Sequence, residues 1–229
     1  MNKKADHFQT AAKPKEGTVR KLVMMVMVLM LVSAVSYAAP DRTGTVDVGI
    51  NVSGAIATDS DINSTVYVGG NIAYGVNQWL AVGFEGGWQT HSSNDATDSG
   101  ITLFGPDFTA IPLFGDIIVR VPIENQQITL YGIVGLGTVI WDVDDASFNV
   151  AGVGGTVKTK VDSTFATKAG GGFDWFINKN WIVNFEAAYV FNRPDVTSTA
   201  SIGGVSVSAV DNTKLDYWTV GGGVKYLFD

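Results

Sequence analysis

From Thr45 onward the chain alternates, with apolar residues at every second position, in stretches of roughly 9–14 residues. That is the pattern of strands, whose successive side chains point to opposite faces. Eight stretches carry it: 45–56, 65–77, 79–89, 111–122, 128–141, 164–176, 181–192 and 215–228. One face of the first holds Val46, Val48, Ile50 and Val52, and one face of the last holds Trp218, Val220, Val224, Tyr226 and Phe228. No charge falls on this face in any of the eight stretches. After Pro40 no long stripe with helical period appears.

The opposite faces are small and weakly polar, built from Gly, Ala, Ser, Thr and Asn. They hold eight scattered charges: Asp47, Glu85, Asp116, Arg120, Lys168, Asp174, Glu186 and Lys225. Tyr67, Tyr131, Phe176 and Tyr217 share their parity. A water-facing sheet would carry many Lys and Glu on that side. Apolar outside and polar inside instead suits strands closed into a barrel in lipid, where every backbone N–H and C=O must pair within the protein. An interior this narrow is filled by side chains, and charges there must pair, because an unpaired buried ion is costly. Strand neighbourhood suggests Asp47 with Lys225, Glu85 with Arg120, and Glu186 with Lys168 or Lys225. The expected result is a salt-bridged plug.

The connections alternate in length. Residues 76–79, 122–127 and 177–180 are short, whereas 57–64, 90–110, 142–163 and 193–214 are mostly long and polar. Short turns face the periplasm and long loops the outside in barrels of this kind, so both termini are expected in the periplasm. The tryptophans fit two interfacial girdles. Trp79, Trp175 and Trp181 fall at the turn end, and Trp88, Trp141 and Trp218 at the loop end, with Trp79 and Trp141 on the inward parity and so assignable to turns rather than to the belt.

Composition agrees with this picture. Only 16% of residues are charged, while 27 are Gly, 12 Phe, 7 Tyr and 6 Trp. That excludes a disordered chain and disfavours a helical one. The formal charge of −7 offers no basic face for nucleic acid. With no Cys, disulfide scaffolds and thiolate sites are excluded.

The first segment is an export signal. Lys3, Lys4, Lys13, Lys15, Arg20 and Lys21 precede the apolar run from Leu22 to Val32, and small residues follow it. Ser36 and Ala38 occupy the −3 and −1 positions of a cleavage site. The run is too short for a membrane helix, which needs about 20 residues. Residues 1–38 are therefore expected to leave, and 39–229 to form the barrel domain, with His91 its only histidine.

Four segments carry a family resemblance: YGIVGLG at 131–137, FATKAGGGFDWFINKNW at 165–181, NFEAAYVF at 184–191 and WTVGGGVKYLF at 218–228. Together they resemble the OmpA-like outer-membrane β-barrels of Gram-negative bacteria, a porin-type family of small barrels with OmpW-like proteins as near relatives. The resemblance implies an all-β, eight-stranded antiparallel up-and-down transmembrane barrel in the cell envelope. It implies outer-membrane lipid, lipopolysaccharide and the barrel-assembly machinery as partners, no nucleic acid, and a monomer. The closing strand resembles the family's assembly signal through Thr219, Gly221, Val224, Tyr226 and Phe228, departing from it by ending on Asp229. No peptidoglycan-binding domain is expected after the eighth strand.

Site chemistry is sparse. His91 lies beside Ser92, Ser93 and Asp95, the residue types of a hydrolytic site, but loops are rich in Ser and Asp. Asp142, Asp144 and Asp145 are hard oxygen ligands without the Gly-turned loop and terminal Glu of a calcium site. No catalytic, cofactor or metal residue is assigned, and no cofactor is expected. The sequence thus points to a structural or interaction barrel with a plugged lumen. The alternatives are a narrow channel or hydrophobic-solute transporter, and a lipid-modifying enzyme.

Overall fold

The structure is a computed structural model. It describes residues 39–59, 62–92, 96–98, 101–103, 107–123, 127–143, 146–150, 153–202, 205–212 and 214–228. The expected export segment and its expected cleavage site at Ser36 and Ala38 lie outside these residues.

Among the described residues fourteen strands follow one another: β1 (Val46–Ala57), β2 (Thr65–Gly75), β3 (Leu80–Ser92), β4 (Ala96–Asp98), β5 (Ile101–Leu103), β6 (Asp107–Pro122), β7 (Ile128–Val143), β8 (Ala146–Val150), β9 (Val153–Val161), β10 (Thr164–Phe176), β11 (Trp181–Asn192), β12 (Asp195–Ile202), β13 (Val205–Asn212) and β14 (Tyr217–Phe228). Eight of them close a barrel in the order β1-β14-β11-β10-β7-β6-β3-β2. Every pair is antiparallel, and the ring is completed by β14 against β1, from Val46 opposite Phe228 to Ala57 opposite Tyr217. Closure removes both free edges, as a wall in lipid requires.

The wall has inverted polarity. Ile50, Leu136 and Phe165 are 71%, 61% and 67% exposed, whereas Asp47, Arg120 and Asp174 are 2%, 2% and 1% exposed. Aromatic contacts gather at both ends of the outer face. Trp181, Tyr226 and Phe228 form edge-on pairs at the turn end, at 5.1 and 4.7 Å, and Trp218, Tyr189 and Phe191 do so at the loop end, at 4.9 and 4.4 Å. Trp141 departs from the expected girdle and from a turn position. It is 8% exposed and packs inside the loop-end mouth, because residue 141 continues the inward parity of Tyr131 and Ile133 along β7.

Two short turns repeat one local device. Asn77 Oδ1 accepts the amides of Trp79 and Leu80, and Asn178 Oδ1 accepts those of Asn180 and Trp181. An Asx side chain standing in for a backbone acceptor stabilises such a reversal.

The long connections are not irregular loops, which corrects the sequence reading. Residues within 90–110, 142–163 and 193–214 build a second sheet of six strands, in the order β13-β12-β9-β8-β5-β4. The polarity that marked them as loops is that of strands outside lipid. Alternation is visible in β9 and β12 but is written in Val, Thr, Ser and Ala rather than in large apolar residues.

Candidate functional site

The turn end of the interior is an ionic network built around a segment preceding β1. Asp41 Oδ1 accepts both the amide and the hydroxyl of Thr43, and Gly44 takes φ +76°, which favours glycine. This turn sends Arg42 into the barrel. A Cβ on Gly75 would collide with the Arg42 carbonyl, so that approach needs a glycine opposite it. Arg42 Nη2 donates to Asp47 and Nη1 to Asp174, each at 2.5 Å, and the guanidinium stands 5.7 Å from the Phe176 ring centre. Arg120 Nη2 also donates to Asp47, at 2.8 Å, and Lys225 Nζ to Asp174 Oδ1, at 3.0 Å. Behind them Ala39 packs on Phe176, Ile182 and Leu227.

A second cluster lies above. Lys168 Nζ donates to Glu85 Oε2 at 2.6 Å and to Asp116 Oδ2 at 3.2 Å, and stands 5.4 Å from the Phe114 ring centre. The Tyr67 hydroxyl donates to Glu85 Oε1 at 2.8 Å, and the Tyr131 hydroxyl to Glu186 Oε2 at 3.0 Å. Inward glycines make room for the two rings. A Cβ on Gly69 or Gly87 would land on the Tyr67 ring, and one on Gly172 would sit 2.8 Å from the Tyr131 oxygen. A small polar cavity beside this cluster, lined by Asn71, Glu85, Asp116, Tyr131, Glu186 and Lys225, has room for about one water.

All eight charges named from the sequence point inward, seven of them buried and Glu186 half-buried. Their partners differ from those expected. Asp47 pairs with Arg42 and Arg120 rather than Lys225, Glu85 with Lys168 rather than Arg120, and Glu186 takes the Tyr131 hydroxyl. The expected partners were strand neighbours. The observed ones span the lumen: β1 to β6, β10 to β3, and β14 to β10 are two or three strands apart in the ring. Eight strands leave an interior so narrow that a Lys or Arg reaches across it.

Arg42 was missed because it precedes the first alternating stretch. Its one sequence signal is the Asp-Arg-Thr-Gly turn immediately before that stretch. With it, four buried cations face the five acids of these two clusters.

The loop end differs. Tyr67, Phe114, Val139, Trp141, Val190, Leu215 and Tyr217 form an apolar cluster, with Ile62, Phe108 and Val161 packed on it. Within it a narrow recess is lined by Ala57, Ile62, His91, Phe108, Trp141, Leu215, Asp216 and Tyr217. Thr58, Ile62 and Asn63, described residues between β1 and β2, border this mouth, and their backbone is tied to it. The ties are the amide of Thr58 on the Asp216 carbonyl at 3.1 Å and the amide of Asn63 on the Ser92 carbonyl at 3.0 Å.

His91 is part of this packing. Its ring stacks on Phe108 with centres 5.5 Å apart, and its Nδ1 lies 3.0 Å from the Asn63 carbonyl oxygen. Ser92 is engaged instead by the Asn63 amide group, at 3.2 Å. Ser93, Asp95, Asp144 and Asp145 lie outside the described residues, among which no group of acids and histidines is arranged to hold a metal ion.

On β14, Val224, Tyr226 and Phe228 stand on the outer parity, while Thr219 and Gly221 point inward. A Cβ on Gly221 would strike the Val52 carbonyl and the Ser53 side chain, so the ladder with β1 requires glycine there.

A family model for the outer membrane protein beta-barrel domain matches residues 25–228. The chain belongs to this family. Among solved structures, it is similar to OprG of Pseudomonas aeruginosa, with a TM-score of 0.63 at 16% identity over 82% of this chain and 97% of that one. AlkL, solved by solid-state NMR in lipid bilayers, gives 0.52 at 16% identity over 84% and 94%. Outer membrane protein W of E. coli gives 0.50 at 15% identity over 82% and 99%. At such identities the likeness is one of fold. No curated protein matches the chain. Family and fold together assign an eight-stranded outer-membrane barrel of Gram-negative type.

Proposed function

We propose that this barrel has a lumen closed by side chains and serves a structural or interaction role, presenting its second sheet at the cell surface. The carrying observation is the pair of ionic clusters. Arg42, Asp47, Arg120, Asp174 and Lys225 cross the turn end, and Lys168 joins Glu85 and Asp116 above them. Ions bound to fixed counter-charges in a narrow interior leave little continuous water for conduction. On this reading residues 1–38 are cleaved after Ala38, both termini are periplasmic, and β14 with Tyr226 and Phe228 is the strand read by the assembly machinery. The mature barrel works as a monomer without enzymatic activity. Planar-bilayer recording of refolded protein tests it. Brief, small events at most are expected, and large, steady, non-selective conductance overturns it. N-terminal sequencing of membrane protein should give Ala39 first, and intact cells should admit surface labelling in 205–212 but not at Lys179.

One observation favours a second reading, uptake of small apolar solutes. The loop-end recess, with room for about one water, is lined by Ile62, Phe108, Trp141, Leu215 and Tyr217, apolar side chains that a solute would have to part to enter. The ionic clusters block the straight path below it, so a solute would have to leave through the wall. Fluorescence quenching by a brominated medium-chain alkane in a variant that keeps Trp141 as its one tryptophan, abolished by Leu215→Asp, would favour this role.

A further inference from the structure

The outer wall carries a site that neither reading uses. At the loop end of β10 and β11 an open groove of about 380 Å³ is lined by Phe165, Thr167, Phe191 and Arg193. Register explains the grouping. Thr167 stands directly opposite Phe191, and continuing the ladder by one outward step brings Phe165 to the level of Arg193. All four lie on the outer parity, since their neighbours Ala166, Lys168 and Asn192 are buried at 1%, 3% and 1% exposure. The edge-on aromatic series Trp218, Tyr189, Phe191 continues the groove's apolar flank.

The chemistry of this groove is graded. Below Arg193 the outward faces of the barrel strands are uncharged. Arg193 is the first residue after β11, exposed, and without a carboxylate partner among the described residues. It therefore stands where the apolar belt gives way to headgroups. A bare guanidinium above a slot between phenyl rings is complementary to an amphiphile with an anionic head and a straight acyl chain. Arginine's planar fork matches the oxygens of a phosphate. The Thr167 hydroxyl, inside the slot, can donate to an ester or amide carbonyl near the head of the chain.

We infer that this groove holds one acyl chain of a phosphorylated glycolipid of the surrounding leaflet, with Arg193 on its phosphate. With the loop end outside, as proposed above, that lipid is the lipid A part of lipopolysaccharide. The inference rests on that orientation only for the choice of lipid.

Native mass spectrometry of the refolded full barrel in detergent tests it, with lipid A, phosphatidylcholine and inorganic phosphate as separate probes. The wild type should retain one lipid A per barrel. Loss of one charge-assisted contact predicts roughly tenfold weaker retention in Arg193→Gln. Arg193→Lys should recover part of it, Phe191→Ala should lose it, and Lys179→Gln at the opposite end should match wild type. Heat-modifiable migration of each variant confirms that it folds. Equal retention by Arg193→Gln and wild type overturns the site. So does equal retention of phosphatidylcholine, or occupancy by inorganic phosphate without lipid. Purified protein in detergent has no inside or outside, so failure here is separable from failure of the orientation, which surface labelling of cells reads.

Discussion

The two ends of the barrel interior are lined by the same strands yet held together differently. At the turn end Arg42, Arg120 and Lys225 share Asp47 and Asp174. At the loop end Val139, Trp141, Val190 and Leu215 meet through apolar contact alone. Ion pairs are directional and reach across the lumen, so they tie distant strands together and leave little space. Apolar packing is local, and at the loop-end mouth it leaves the recess beside Ile62. Removing one shared carboxylate therefore exposes several cations at once, whereas trimming one apolar side chain exposes only itself.

Changes to the shared acids should break this contrast most sharply. Asp174→Ala strands Lys225 and leaves Arg42 to share Asp47 with Arg120, and urea titration of refolded protein should show a loss of about 3–5 kcal/mol. A loss below about 1 kcal/mol would refute the network as a stabilising unit. Arg120→Ala should cost less, about 1–3 kcal/mol, since Asp47 keeps Arg42. On the wall, Val220→Arg puts a cation into lipid at roughly 2–4 kcal/mol. Thr219→Arg points inward toward Glu186 and should cost less. The reverse order would contradict the parity of β14.

Smaller effects sharpen the comparison. Gly87→Ala drives a methyl into the Tyr67 ring and should loosen its bond to Glu85, at about 1–3 kcal/mol. Gly86→Ala, on the outer face, serves as the control. Val139→Ala in the apolar mouth removes two methyl equivalents, about 1.6 kcal/mol. Raising salt to about 1 M should scarcely move the unfolding midpoint of the wild type, because buried pairs are weakly screened. A large salt-induced loss would mean that the turn-end charges are hydrated.

Much of the architecture was legible in order of residues alone. Period two, the absence of charge on one face and the short turns at 76–79 and 177–180 dictated eight strands and which side of each meets lipid. These are properties of neighbours in the chain, and lipid punishes any error in them, so the pattern is strict. Outside lipid that discipline relaxes, and β9, β12 and β13 escaped notice because Thr, Ser and Val strands do not advertise a buried face. The eight interior charges were readable as a set, but their partners were not. Pairing across a lumen depends on how far the strands are staggered when β14 closes on β1, a quantity that only the closed ring fixes. Arg42 belongs to the same class. Its sequence shows a turn before a strand, and only the barrel wrapped around that turn makes its guanidinium the centre of the ionic network.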